Sequence, residues 1–414
     1  MQPDPNIPPP LPTVQPSAPP PLLSTAVPAR LPSAPGWLIM LLGLCLGIFL
    51  LDAVFSVGDD SLSLFFNLHF LSGFRSLAGF FTLLISLLVY VLMAFVPAIP
   101  KRYFLPLTLF TLLSAMVGIP FTIYFYTHIV LIDWFISVAQ LLVGVWIFNA
   151  LHGGFKLRWP LVLSDRLPNR RFGWKHFAAF VLGNLFILLP VVVIYFFFCA
   201  SLALGHFSEG FMALRPGGLS VQVRTYARDD GKTIRLFPMS HVADEVFYDK
   251  VSQSFPSNSV ILMEGVTDDH DLITNKISYA RMAKSLGLAE QHEKFKPTQG
   301  TWVRADVDVS VFSKDTLSLL NLVMLIHSQG VNAGNVQTLL SFSPSPQIQD
   351  ELVDDLLHKR NQHLLEQVQA YLTKTDQIML PWGAAHMPGL SRGLEKDGFH
   401  LIQTQDYQVI HFHL

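Results

Sequence analysis

Three residues of this chain stand where side-chain chemistry is most easily assembled. His241 follows the stretch "TIRLFPM", Glu264 ends "SVILME", and His386 follows "QIMLPWGAA". Each stretch reads as a short strand, so all three residues fall at strand carboxyl ends, the edge where open α/β sheets bind ligands. Two imidazoles and a carboxylate delivered there match a catalytic divalent-metal site, which holds its ion with few protein ligands and keeps a position open for water. His386 also rides on a turn of Gly383, Ala384 and Ala385, whose small side chains allow a sharp bend and leave room for approach. Singly, each residue has a plainer reading. A histidine after a strand usually satisfies a local hydrogen bond, and a glutamate before a glycine usually caps or pairs. Convergence at one edge is what favours a site.

The elements that must position these residues can be read from period and punctuation. "LSVQVRTYARDDGKTIRLFPM" alternates about Asp230-Gly231 and predicts a hairpin. "HVADEVFYDKVSQSF" places apolar residues at 242, 246, 247, 251 and 255, the spacing of an amphipathic helix. "DELVDDLLHKRNQHLLEQVQAYL" is a long helix, a further helix covers 387–397 and stops at Gly398, and "FHLIQ" and "YQVIHFHL" close the chain as strands. Strands alternating with helices imply an α/β (α+β) domain with a mixed sheet over 218–414, after a linker at 205–217.

Ahead of that domain the composition changes. The chain has 414 residues, 51% hydrophobic and only 14% charged, with a mean hydropathy of +0.41, which is too apolar for an ordinary soluble enzyme. Residues 1–36 carry 13 of the 28 prolines and no hydrophobic period, so they read as an extended, disordered arm. The arm lacks the basic start and apolar core of a signal peptide, so the first apolar run should be retained as an anchor. Five apolar stretches follow, near 37–57, 75–97, 103–124, 129–149 and 177–204, each matching the roughly 20 residues that cross a bilayer. This polytopic α-helical membrane region of about five spans fills 37–204. Lys156, Arg158, Arg166, Arg170, Arg171 and Lys175 face a lone Asp165 in one connection, and Lys101 and Arg102 occupy another. Both connections should be cytoplasmic. The amino terminus is then inside and the 218–414 domain extracytoplasmic, at a plasma or bacterial inner membrane. Asp52 and Asp133, the acidic residues within the spans, both near a helix end, read as interfacial and solvated, which favours an anchor over a transporter. A net charge of -2 gives nucleic acid no basic surface to bind. Cys45 and Cys199 both lie in apolar runs, so the polar part contains no disulfide or thiolate metal site.

Five short motifs occur in order from about 233 to 398: "PMSHVAD", "VILMEGV", "RADVD", "HKRNQHLLEQV" and "GAAHMPGL". Together they resemble the TraB/TIKI family of metal-dependent hydrolases, in which a Gly-x-x-His, a strand ending in Glu-Gly, an Ala-Asp-Val-Asp stretch, an Arg-Asn on a long helix and a final Gly-x-x-His recur. The resemblance implies a peptidase acting on peptides or protein termini, with a divalent manganese, cobalt or zinc ion. It implies His241 and His386 as metal ligands, Glu264 as third ligand or general base, and Asp306 and Asp308 close by on one strand face. Arg360 and Asn361 would hold a substrate carboxylate or orient a ligand, although Arg360 could equally pair with a buried acid such as Glu264. Pro238 stands where the family has glycine, so the turn before His241 must be built differently. His270, His358, His363, His411 and His413 match no motif. The partners implied are a peptide or protein substrate and the lipid bilayer. The competing expectation is a catalytically silent peptide-binding or sensor domain of the same fold.

Overall fold

A computed structural model describes residues 35–154, 159–167, 172–274, 279–329, 334 and 345–412. Residues 1–34 of the proline-rich arm, Lys156, Arg158, Arg170, Arg171 and His413 lie outside the described residues. The chain divides into two compact units, one of Met1–Leu113 with Trp134–Val181, the other of Ser114–Asp133 with Leu182–Leu414.

The helices begin with α1 (Gly36–Phe66), α2 (Ser72–Phe95), α3 (Lys101–Phe125), α4 (Ile129–His152), α5 (Trp174–Gly183) and α6 (Leu189–Phe207). Among the described residues, four continuous stretches are long and apolar enough to cross a membrane: α1, α2, Lys101–His152 and Trp174–Phe207. The 52-residue Lys101–His152 stretch contains two of the five apolar runs, joined by a single 3-10 turn at Tyr126–His128. Leu38, Leu42, Leu46 and Phe49 place one face of α1 in a core shared with Val89 and Met93 of α2 and Ile147, Phe148 and Leu151 of α4.

In this helical unit the expectation that Asp52 is interfacial and solvated fails. α1 runs past residue 57 to Phe66, ending on Asn67 at a φ of 54°, so Asp59 and Asp60 lie on the helix and not in a connection. Asp52, Asp59 and Asp60 are all buried. Asp52 accepts from Gln140 Nε2 at 2.8 Å and Asp60 from Ser137 Oγ at 2.5 Å. Arg75 of α2 bonds Asp60 and stands 3.6 Å from Asp59. Carboxylates persist in an apolar bundle only when partnered, and the partners come from α2 and α4.

The other unit contains β1 (Met212–Arg215), β2 (Gly218–Ala227), β3 (Thr233–Met239), β4 (Val242–Ala243), β5 (Val260–Met263), β6 (Ala289–Glu290), β7 (Thr301–Arg304), β8 (Gln377–Gly383) and β9 (His400–His411). The sheet order is β1-β2-β3-β8-β5-β7, with β9 on the other side of β2. β3, β8, β5 and β7 run parallel, while β1, β9 and β3 pair β2 antiparallel. The expected mixed sheet is therefore present. Two boundaries differ from expectation. The linker at 205–217 contains β1, and the two closing strands are one twelve-residue strand, β9, pairing along all of β2 through two register shifts.

Helices α7 (Glu245–Gln253), α8 (Ala280–Leu286), α9 (Gln291–Lys294), α10 (Lys314–Gln329) and α11 (Ile348–Val353) precede α12 (Arg360–Leu372) and α13 (Met387–Lys396). Alternation decides which face each strand residue takes. Leu236, Ile378 and Leu380 pack with Leu364 and Val368 of α12 and Leu390 and Leu394 of α13. Phe237, Met239 and Met379 pack on the opposite face with Phe247, Tyr248 and Val251 of α7. This layering fixes the carboxyl ends of four parallel strands beside the first turn of α12. The Pro238 turn is built without glycine: Ser240 Oγ donates to Val242 O at 2.8 Å, and Tyr248 Oη donates to Ser240 O at 2.7 Å.

Candidate active site

Glu264 leaves the end of β5 and reaches across to β8. Its Oε2 accepts from the Gly383 N–H at 2.5 Å, and its Oε1 accepts from Arg360 Nη2 at 2.8 Å. His386 Nε2 stands 3.5 Å from the same Oε1. A Cβ on Gly383 would lie 3.3 Å from Glu264 Oε2, so the small residue there permits this close approach.

Asp306, just past β7, has a side chain with no exposure to solvent. It accepts from Arg360 Nε at 3.0 Å and Nη2 at 2.6 Å, and from the backbone N–H groups of Gly265 and Val307 at 2.9 and 2.8 Å. The guanidinium thus forks onto Asp306 and bridges it to Glu264. It also sits 5.4 Å from the Trp382 ring centre. Asn361, the next residue of α12, accepts from His386 Nδ1–H at 2.8 Å and returns its amide to His386 O at 3.4 Å. Gly389 must be small for this, since a Cβ there would lie 2.4 Å from Asn361 Nδ2. Trp382 donates its indole N–H to Leu262 O at 2.9 Å and meets the His386 ring edge-on at 5.1 Å. The result is one chain of contacts, Asp306–Arg360–Glu264–His386–Asn361, spanning the ends of β7, β5 and β8.

Burial pushes the Glu264 carboxyl up. The His386 hydrogen bond, the Arg360 charge and the Gly383 N–H together outweigh it and hold the group at about 2. A depressed folded-state value means stability that is complete above the ordinary value of 4.5 and lost as pH falls through about 2. The thermal midpoint of the purified chain is therefore expected to fall between these limits. A profile that stays flat from pH 5 to pH 2 would contradict the ionised cluster.

Five of the residues named from sequence meet here: Glu264, His386, Arg360, Asn361 and Asp306. Two do not. β7 ends at Arg304, so Asp306 and Asp308 share no strand face. Asp308 accepts from Ser310 N at 2.9 Å, Thr267 Oγ1 at 2.9 Å and Asp269 N at 3.0 Å, which hold its carboxyl well below the usual range. It clamps two loops. His241 is exposed, with its ring stacked on Tyr279 at 5.0 Å and an interplanar angle of 6°.

The Glu264–His386 pair fits two ligands of one ion. Asn361 takes the Nδ1–H, so the hydrogen bond from Nε2 to Glu264 belongs to the imidazolium form, and an ion between the two would take the place of that Nε2 proton. Two ligand atoms about 2.1 Å from an ion at the tetrahedral angle stand roughly 3.4 Å apart, close to the observed 3.5 Å. Among the described residues, however, the trio whose ligand atoms all lie within 4.8 Å of one another is Glu290, His292 and Glu293, which could hold a metal ion. His241 does not complete such a trio with Glu264 and His386. The Glu290 group is not visible in the sequence because positions i, i+2 and i+3 follow neither the strand nor the helix period. Compared with protein-family models, curated proteins and solved structures, the chain finds no match in any of the three.

Proposed function

We propose that the chain is a membrane-anchored, divalent-metal-dependent hydrolase of the TraB/TIKI kind, acting on peptides or protein termini outside the cytoplasm. The observation that carries this reading is Glu264, kept ionised at a sheet edge with its Oε1 3.5 Å from the nitrogen of a histidine oriented by Asn361. Glu264 and His386 would hold manganese, cobalt or zinc, with water in the remaining positions, and the ion would polarise a carbonyl and acidify a bound water. The Glu264 carboxylate, facing His386 Nε2, would serve as a ligand of the ion or as the general base that takes a proton from its water. Arg360 is committed to Asp306 and Glu264, which leaves it to position the carboxylate, not to hold a substrate carboxylate. Asn361 fixes the ring that presents Nε2.

The full-length protein in detergent is expected to cleave members of a broad peptide library when manganese, cobalt or zinc is supplied and to stop when chelator is added. Absence of cleavage under all three metals moves the assignment to the second reading, a silent peptide-binding or sensor domain. That reading is favoured by the position of His241, stacked on Tyr279 and apart from the pair.

For the membrane we propose five crossings. The Lys101–His152 stretch would be roughly 78 Å long as one straight helix at 1.5 Å per residue, far more than the ~30 Å core. Turning at Tyr126–His128 would return it to the side carrying Lys101 and Arg102, with the amino terminus cytoplasmic and the 218–414 domain outside. Reporter fusions near residues 160 and 300 should report opposite sides, and a cytoplasmic signal from the second refutes this topology.

A further inference from the structure

We propose that Glu290, His292 and Glu293 form a second divalent-cation site, one that is independent of Glu264 and His386. The three ligand atoms already lie within 4.8 Å of one another. Glu290 is only 4% exposed, yet among the described residues its Oε2 has no hydrogen-bond partner. Its Oε1 is the occupied atom, accepting from the Tyr279 N–H at 2.8 Å and facing His292 Nδ1 at 3.1 Å. A buried carboxylate oxygen with nothing to bind is costly, and removing the charge does not help, since a protonated Oε2 would still need an acceptor. Among the described residues, Lys294 of the same turn is engaged elsewhere, donating to Glu245 at 2.6 Å. A metal ion on Oε2 resolves the deficit.

The surroundings suit an ion held from below and open above. Glu290 is fixed in β6, paired with Val242 of β4, and the next residue, Gln291, donates its N–H to His241 O at 2.9 Å. His292 and Glu293 stand on the single turn of α9, both exposed, the histidine side chain at 68%. One rigid buried oxygen and two surface ligands leave the remaining coordination positions to water. One imidazole with two carboxylates selects a zinc- or manganese-like cation, whereas calcium takes six to eight oxygens. An ion there would brace α9 against β4 and steady the segment that presents His241.

Zinc titration of the chelator-stripped full chain in detergent tests this, with cobalt absorption as the probe of geometry. Wild type is expected to bind one equivalent that survives His386→Ala and is lost or weakened in His292→Ala, Glu293→Ala and Glu290→Gln. The weakening should at least match the roughly 10–100-fold cost of losing even an outer partner of a metal ligand. His292 and Glu293 are exposed, so their variants fold whether or not Glu290→Gln does. The proposal is overturned if His292→Ala and Glu293→Ala keep wild-type stoichiometry, affinity and cobalt spectrum, or if all bound zinc disappears with His386→Ala. Zinc that is lost with His292→Ala and indifferent to His386→Ala upholds this site while removing the metal from the Glu264 reading.

Discussion

In the Glu264→Gln variant, metal-dependent peptide cleavage is expected to fall roughly 10³-fold in kcat/KM while the fold persists. Glutamine keeps the shape of the side chain, can still accept from the Gly383 N–H, and leaves Arg360 forked on Asp306. What it loses is the negative charge on the oxygen that faces His386 Nε2 at 3.5 Å. A metal ion stabilises developing charge by several kcal/mol, and each 1.36 kcal/mol is a factor of ten in rate, so weakening the ion's one anionic ligand by about 4 kcal/mol gives the stated loss. The check is kcat/KM for the best library peptide at saturating metal, beside a near-ultraviolet circular dichroism spectrum. Unchanged turnover in a folded Glu264→Gln protein would remove Glu264 from the chemistry.

Arg360→Met is expected to destabilise the 218–414 domain by about 3–5 kcal/mol, the penalty typical of a buried charge pair that loses one partner. Two carboxylates depend on this guanidinium. Asp306 has no exposed side-chain surface and Glu264 has 16%, so neither recovers hydration in place of the lost bonds. For a domain of this size the thermal midpoint should drop by roughly 10 °C. Exchange of the Gly265 and Val307 amides, which donate to Asp306, should accelerate along with it. Adding Asp306→Asn and Glu264→Gln to Arg360→Met should recover much of the loss, since the triple variant contains no stranded charge. A single Arg360→Met variant as stable as wild type would mean that the carboxylates are hydrated and the cluster is not a buried network.

The sequence by itself determined the local elements and the edge of the sheet that matters. Alternation about Asp230-Gly231 specified the β2–β3 hairpin, and Gly231 takes its turn with a φ of 82°. The apolar runs ending at Met263 and Gly383 specified strands whose carboxyl ends carry Glu264 and His386. These follow from burial on a period of two or of 3.6 residues, which is recorded in neighbouring positions. Partners far apart in sequence were decided only by the tertiary structure. Arg360 meets Glu264 across 96 residues because parallel order β8-β5-β7 sets the start of α12 over two strand ends. The alternative that Arg360 pairs with a buried acid was legible; that Asp306 shares it was not. His241 stands at the foreseen strand end, but its ring stacks on Tyr279, since a strand fixes where its last residue lies and not which rotamer the following loop admits. Asp52 reads as solvated in sequence, and Asp59 and Asp60 fall between the apolar runs, yet all three are buried in the fold, because Arg75, Ser137 and Gln140 come from other helices of the bundle. Glu290, His292 and Glu293 converge for the same reason: β6 pairing with β4 buries one glutamate while the single turn of α9 brings two further ligands to it, a coincidence of strand pairing and helical turn that no single period encodes.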